Sequence, residues 1–181
     1  MGLGKSAQAV AASCGLGKIL ILCPAIAKVN WDREFTKFSD TTGQFQIIKT
    51  GKTIPDANKS IICSCELAVS LWKQGKWRGL EFDLLILDEV HFLKSKDAKR
   101  TKAVMGNKGL VRQAKKVWGL SGTPMPNHPG ELWVLLFTFG VTKLTYRDFI
   151  LKFCAFADGS GVNDPMMQIV GLNRSNVAAL S

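Results

Sequence analysis

FDLLILDEVH, residues 82–91, decides the fold class: a run that is apolar except for Asp83 ends abruptly on two carboxylates and an imidazole. Seven residues is strand length, and an apolar run without alternation belongs to a strand covered on both faces, as in a parallel sheet sandwiched by helices. Working outward, KILILC (18–23), FQIIKT (45–50), SIICS (60–64) and KVWGLS (116–121) read as further strands. Helical patterns follow Lys5 and cover about 27–38, 66–73, 97–114, 129–138 and 145–154. Short apolar strands alternating with helices predict an α/β fold with a mostly parallel sheet.

The chain has 181 residues, 46% of them hydrophobic and 21% charged. A chain of this size buries roughly 70% of its unfolded surface, so it needs no disulfide or metal to hold a core. One lobe is expected over 1–155. A C-terminal extension, 156–181, opens on the loop-like FADGSGVND (156–164) and includes the apolar stretch MMQIVGL (166–172).

Several classes are excluded at once. The apolar run ILILCPAIA (19–27) is too short for a bilayer and contains Pro24. Lys5, Ser6 and Gln8 interrupt the N-terminal stretch where a secretory signal would be apolar. Five cysteines without a CxxC pair argue against a disulfide framework or a cysteine zinc site, and predict a reducing compartment, nuclear or cytoplasmic. With only His91 and His128 available, any metal is expected to be an oxygen-bound Mg²⁺.

The net charge is +10, and it is concentrated. Between Lys94 and Lys116 stand Lys94, Lys96, Lys99, Arg100, Lys102, Lys108, Arg112, Lys115 and Lys116 against the single acid Asp97. Such an asymmetry suits a surface facing nucleic-acid phosphates, although a solvated helix face would show it too.

Two motifs carry chemistry. Gly2-Leu3-Gly4-Lys5-Ser6 is the second half of a phosphate loop, GxxxxGK[ST], running into the helix-forming AQAVAAS. Glycines let backbone N–H groups curl around phosphates, Lys5 reaches the outer phosphates, and the Ser6 hydroxyl can ligate Mg²⁺ at a helix N-terminus. The strand that should precede this loop is expected to be missing, because the full motif would begin before Met1. The second motif is Asp88-Glu89-Val90-His91, where one acid can hold Mg²⁺ and its neighbour can orient or deprotonate an attacking water.

Joined to LSGTPMPNHPGELW (120–133), these motifs make the chain resemble the first RecA-like lobe of helicase superfamily two, specifically the Swi/Snf family of DNA-translocating ATPases. The likeness covers nearly the whole chain: MGLGKS, ILCPAIAKVNWDREF with Asn30, Trp31 and Glu34, DEVHFLK, then SGTPMPN with Glu131, Leu132 and Trp133. The Pro126-Asn127 pair looks closest to the annealing-helicase branch and its phage and bacterial relatives. The resemblance implies a RecA-like P-loop lobe lacking its first strand, ATP and Mg²⁺ as cofactors, and duplex or forked DNA as partner. It assigns Gly2, Gly4, Lys5 and Ser6 to phosphate, Ser6 and Asp88 to the metal, Glu89 to water activation, and His91 to sensing. Ser121, Gly122 and Thr123 would couple hydrolysis to DNA. Lys28, Lys94, Lys99, Arg100, Lys115 and Lys116 would face the DNA backbone, while Trp31 and Trp133 are assigned to packing. The family also needs a second RecA-like lobe that supplies an arginine finger, so little hydrolysis is expected from this stretch alone. The alternatives are a non-catalytic module that binds nucleic acid or a partner, and the lobe of a strand-separating DNA or RNA helicase.

Overall fold

The computed structural model describes residues 4–38, 45–125, 127–157 and 169–173. Gly2 and the loop over 158–164 lie outside the described residues. The chain gathers into two compact units, Met1–Val90 with Asp97–Gly122, and His91–Lys96 with Thr123–Ser181. This division falls within the stretch read from the sequence as one lobe.

The first unit is built on five parallel strands, β1 (Ile19–Cys23), β2 (Phe45–Ile47), β3 (Ser60–Ser64), β4 (Phe82–Asp88) and β5 (Ala114–Leu120), in the order β2-β3-β1-β4-β5. All five strand expectations hold within a few residues. β1 and β3 are buried at every position, which is why their sequences do not alternate. Ile19, Ile21, Cys23, Leu84 and Ile86 share one face, where α1 (Lys5–Ser13) and α2 (Lys28–Phe38) bring Ala9, Val10, Trp31 and Phe35 against them. Leu20, Leu22, Leu85 and Leu87, one position out of phase, are equally buried. α3 (Cys65–Lys73) packs on β3 and β1, and against α4 (Lys99–Met105). Ser64 ends β3 and starts α3 in one residue, its Oγ accepting the Leu67 N–H at 3.3 Å as an N-cap.

One helix expectation fails. In place of a continuous helix over 97–114, α4 stops at Met105 and a single turn resumes at Leu110–Gln113. Glycine is the cause: a Cβ on Gly106 would stand 2.4 Å from the Lys102 carbonyl oxygen, and one on Gly109 2.5 Å from that of Val104.

In the second unit, a single turn over Pro129–Leu132 leads into α5 (Trp133–Thr138), followed by α6 (Tyr146–Phe153). Thr145 caps α6 by accepting the Asp148 N–H at 3.2 Å. Trp133 stacks on Phe137, meets Tyr146 edge-on and donates to the Leu144 carbonyl at 2.9 Å, the packing role expected of it. A feature not foreseen is the antiparallel pair β6 (Cys154–Phe156) and β7 (Ile169–Leu172), which recruits the apolar end of MMQIVGL.

Ile86 lies at the centre of the sheet, fully buried and flanked by β1 and β5. Ile86→Ala removes that burial and leaves a cavity, so urea denaturation should show a loss of about 2–5 kcal/mol.

Candidate active site at the carboxyl edge of the sheet

In a parallel sheet every strand ends at the same edge, so residues distant in sequence meet there. Here Gly4, at the N-terminus of α1, takes a left-handed backbone (φ 64) that favours glycine and turns the chain into the helix. Lys5 follows, and its Nζ stands 3.5 Å from Glu89 Oε1 across 84 residues of sequence. A Cβ added to Gly122 would lie 3.5 Å from the same ammonium. The phosphate-loop lysine, the second carboxylate of the DExH motif and the glycine of SGT therefore converge.

Both side chains of the Lys5–Glu89 pair are part-exposed, at 29% and 23%. A pair so placed contributes about 1 kcal/mol or less, so it does not lock Lys5 against an incoming phosphate oxygen. Glu89 is the one residue other than glycine with positive φ (49) among the described residues. That conformation costs about 1–3 kcal/mol and accumulates at functional sites. Here it turns the Glu89 side chain toward Lys5 immediately after β4 ends.

Asp88 is held from two sides. Its Oδ2 accepts the Trp31 indole N–H at 2.9 Å, and its Oδ1 accepts the Glu89 backbone N–H at 3.0 Å. Trp31 is fully buried, as a packing residue should be. It also orients the carboxylate expected to bind metal, a role that no local sequence signal carries because the two residues lie 57 positions apart.

Among the described residues, no group of three or more His, Cys, Asp or Glu side chains could hold a metal ion. Asp88 and Ser6 offer hard oxygen donors, leaving other positions to phosphate oxygens and water, the ligand set that Mg²⁺ favours. The residues therefore fit Mg²⁺ carried by a nucleotide. They do not suit a soft metal. Burial, reinforced by neighbouring acidic groups, pushes the Cys23 thiol up to about 12 and the Cys65 thiol up to about 11. Burial likewise raises Cys63, so all three remain protonated at neutral pH.

The remaining expected residues are distributed more widely. Ser121 and Gly122 follow β5 directly, within the first unit. His91 and Thr123 belong to the second, where the His91 ring lies 4.4 Å from that of Phe92. Lys28 donates to the Ile48 carbonyl at 2.9 Å, tying α2 to the end of β2. Lys115 pairs with Asp83 at 2.7 Å at the opposite, amino edge of the sheet, drawing the Asp83 carboxyl below its usual range. Lys99 and Arg100 open α4, and Lys116 lies beside Lys115 on β5; all three are exposed.

Within the second unit, the Glu131 carboxylate is 8% exposed. It pairs with the Lys94 ammonium and accepts from the Asn127 side-chain amide at 2.8 Å and the Asn127 backbone N–H at 3.1 Å. Lys94 was expected to face DNA. In the structure it ties the segment following DExH to the loop following SGT, with Glu131 as the common acceptor.

Residues 1–153 match the SNF2-related domain. The chain belongs to the SNF2-related domain family. It is 32% identical over 160 residues to "SWI/SNF-related matrix-associated actin-dependent regulator of chromatin subfamily A-like protein 1" of Xenopus laevis, covering 85% of this chain and 16% of that protein. It is 29% identical over 158 residues to the chromatin-remodeling ATPase INO80 of Drosophila melanogaster, covering 75% of this chain and 9% of that protein. The fold superimposes on the Sulfolobus solfataricus SWI2/SNF2 ATPase core in complex with dsDNA with a TM-score of 0.65, at 23% identity, over 84% of this chain and 33% of that one. This family member therefore has the α/β architecture of a RecA-like first lobe, and it spans about a sixth of the length of its first curated relative.

The Glu131 cluster makes a pH-dependent contribution. Burial alone would raise this carboxyl, but the Lys94 and Asn127 hydrogen bonds outweigh it and hold it below the ordinary 4.5. A depressed folded-state pKa stabilises the protein above the unfolded value and is lost as pH falls through the folded one. Thermal melts between pH 6 and about 3 should therefore show a shallower acid loss in Glu131→Gln than in the wild type, from a lower starting stability.

Proposed function

We propose that this chain is the ATP-binding lobe of a Swi/Snf-type DNA-dependent ATPase, in which hydrolysis drives movement on duplex DNA that is remodelled or reannealed. The observation that carries the reading is the convergence of Lys5, Glu89 and Gly122, with Asp88 held beside Glu89 at the end of β4. Membership of the SNF2-related family supports it, as does the likeness to a SWI2/SNF2 ATPase core.

In this reading the backbone turn at Gly4 and the N-terminus of α1 receive the phosphates, and Lys5 exchanges Glu89 for an outer phosphate oxygen. Mg²⁺, when bound, neutralises charge developing on the phosphates. Ser6 and Asp88 would hold it, and the Trp31 N–H keeps the Asp88 carboxylate in one orientation. Glu89, relieved of Lys5, accepts a proton from the attacking water or orients it. Gly122 lies against Lys5, so a change at the phosphates is felt at once by the SGT segment. Residues 1–155 form the ATP-binding lobe and 156–181 lead toward a second RecA-like lobe supplying the arginine finger. Lys28, Lys94, Lys99, Arg100, Lys115 and Lys116 are the cations that would meet a DNA backbone, and of these Lys99, Arg100, Lys115 and Lys116 are exposed. No helix among the described residues is long and apolar enough to cross a membrane. Free cysteines support a reducing compartment, nuclear or cytoplasmic.

The test is ATP hydrolysis by the full-length protein that carries this chain, measured with duplex, forked and single-stranded DNA. Duplex or forked DNA should stimulate it most, and Glu89→Gln should bind ATP normally while turnover drops at least about a hundredfold. Stimulation by single strands alone, or normal turnover in that variant, would refute the assignment.

A second variant isolates the indole. Trp31→Phe keeps an aromatic ring in the core but leaves Asp88 Oδ2 without its donor, so the Mg²⁺ concentration for half-maximal hydrolysis should rise several-fold. ATP affinity measured without Mg²⁺ should stay unchanged, an outcome that general destabilisation of the core would not produce.

A further inference from the structure

At the amino edge of the sheet, about 20 Å from Lys5 by the length of β4, lies a cavity of about 360 Å³ that the nucleotide chemistry does not use. It sits where α3 ends and where the chain re-enters β5, and is lined by Trp72, Lys73, Trp77, Arg78, Lys108 and Gln113. Its volume is within the range of small-ligand sites.

Three features define what would fit. Lys73, Arg78 and Lys108 are exposed, and none forms a salt bridge among the described residues. They come from three separate places: the last turn of α3, the turn after it, and the loop before the 110–113 turn. Second, Trp72 is part-exposed and held in place by its indole N–H, which donates to the Lys108 carbonyl at 3.0 Å. Third, Gln113 donates through Nε2 to the Trp77 carbonyl at 2.9 Å, which leaves its Oε1 buried without a donor. A buried carbonyl without a partner is costly, and a ligand bearing an N–H would satisfy it.

We propose that this cavity docks an acidic peptide segment. Its carboxylates lie on the Lys73, Arg78 and Lys108 rim, a backbone N–H donates to Gln113 Oε1, and an apolar side chain covers the Trp72 indole. A peptide supplies a donor at nearly every residue, next to whatever carboxylates it carries. The deoxyribose-phosphate backbone has no hydrogen-bond donor, and the donors of duplex DNA lie on base edges within its grooves. Spread cations favour a run of carboxylates over one compact anion, and the aromatic wall adds apolar contact that a phosphate backbone does not use. The site is independent of the proposed ATPase activity.

The experiment measures fluorescence anisotropy of a short labelled peptide of alternating Glu and Leu, without nucleotide. A Lys-for-Glu peptide and labelled duplex and single-stranded DNA serve as comparisons. The acidic peptide should bind and the basic one should not. The double variant Arg78→Glu, Lys108→Glu changes only exposed side chains and should weaken the peptide at least about tenfold. Gln113→Leu should weaken it about three- to tenfold, the worth of one hydrogen bond. Because Gln113 also holds the Trp77 carbonyl, thermal melting accompanies that variant, and the charge-reversed pair decides if it unfolds. Equal binding by wild type and the charge-reversed variant would overturn the proposal, as would no binding at all. DNA bound through these residues more tightly than the acidic peptide would overturn it too, in favour of a nucleic-acid contact. Since no nucleotide is present, none of these outcomes bears on the ATPase reading.

Discussion

The hydrogen bond from the Trp31 indole to Asp88 ties the chemistry of this lobe to its core. Asp88 is the last residue of β4, a strand paired on both sides and buried along most of its length. A carboxylate at such a strand end must be either satisfied or exposed, and Trp31 satisfies one oxygen while the Glu89 backbone N–H satisfies the other. Because the indole is itself packed against β1 and β4 on the α2 face, core packing sets the angle at which Asp88 is presented. Glu89, one residue later, absorbs the strain of the turn that separates the two acids.

Charge is arranged on a different principle at each edge of the sheet. At the carboxyl edge, one part-exposed ammonium and one part-exposed carboxylate face each other in a weak pair. At the amino edge, Asp83 and Lys115 pair at the surface, while Lys73, Arg78 and Lys108 around the cavity form no salt bridge among the described residues. In the second unit, the buried Glu131 carboxylate serves the structure, binding Lys94 and the Asn127 loop together. A sequence count of basic residues therefore overstates the charge available to a ligand, since several of these cations already serve the protein itself.

Local physics made the strands and most helices readable. Buried parallel strands need unbroken apolar runs, and β1, β3 and β4 have them. The glycine-lysine-serine string and the DExH string were legible because phosphate and metal chemistry demand particular residue types at fixed short spacing. The helix over 97–114 breaks at Gly106-Asn107-Lys108-Gly109, a run of poor helix formers legible in the sequence, where the chain passes too close to backbone oxygens to admit a Cβ on either glycine. The β6–β7 pair was missed because a short antiparallel ribbon draws on partners far apart in the chain.

The order of residues was thus enough for an α/β lobe, its glycine-lysine-serine string and its pair of acids, since each depends on interactions within a few residues. The Trp31–Asp88 bond, the meeting of Lys5 with Glu89 and Gly122, the contacts of Lys28 with the Ile48 carbonyl, Lys94 with Glu131 and Lys115 with Asp83, and the amino-edge cavity depended on folding. Each joins residues about 20 or more positions apart, and their proximity comes from the parallel sheet and the packing of helices on it, which short-range pattern does not encode.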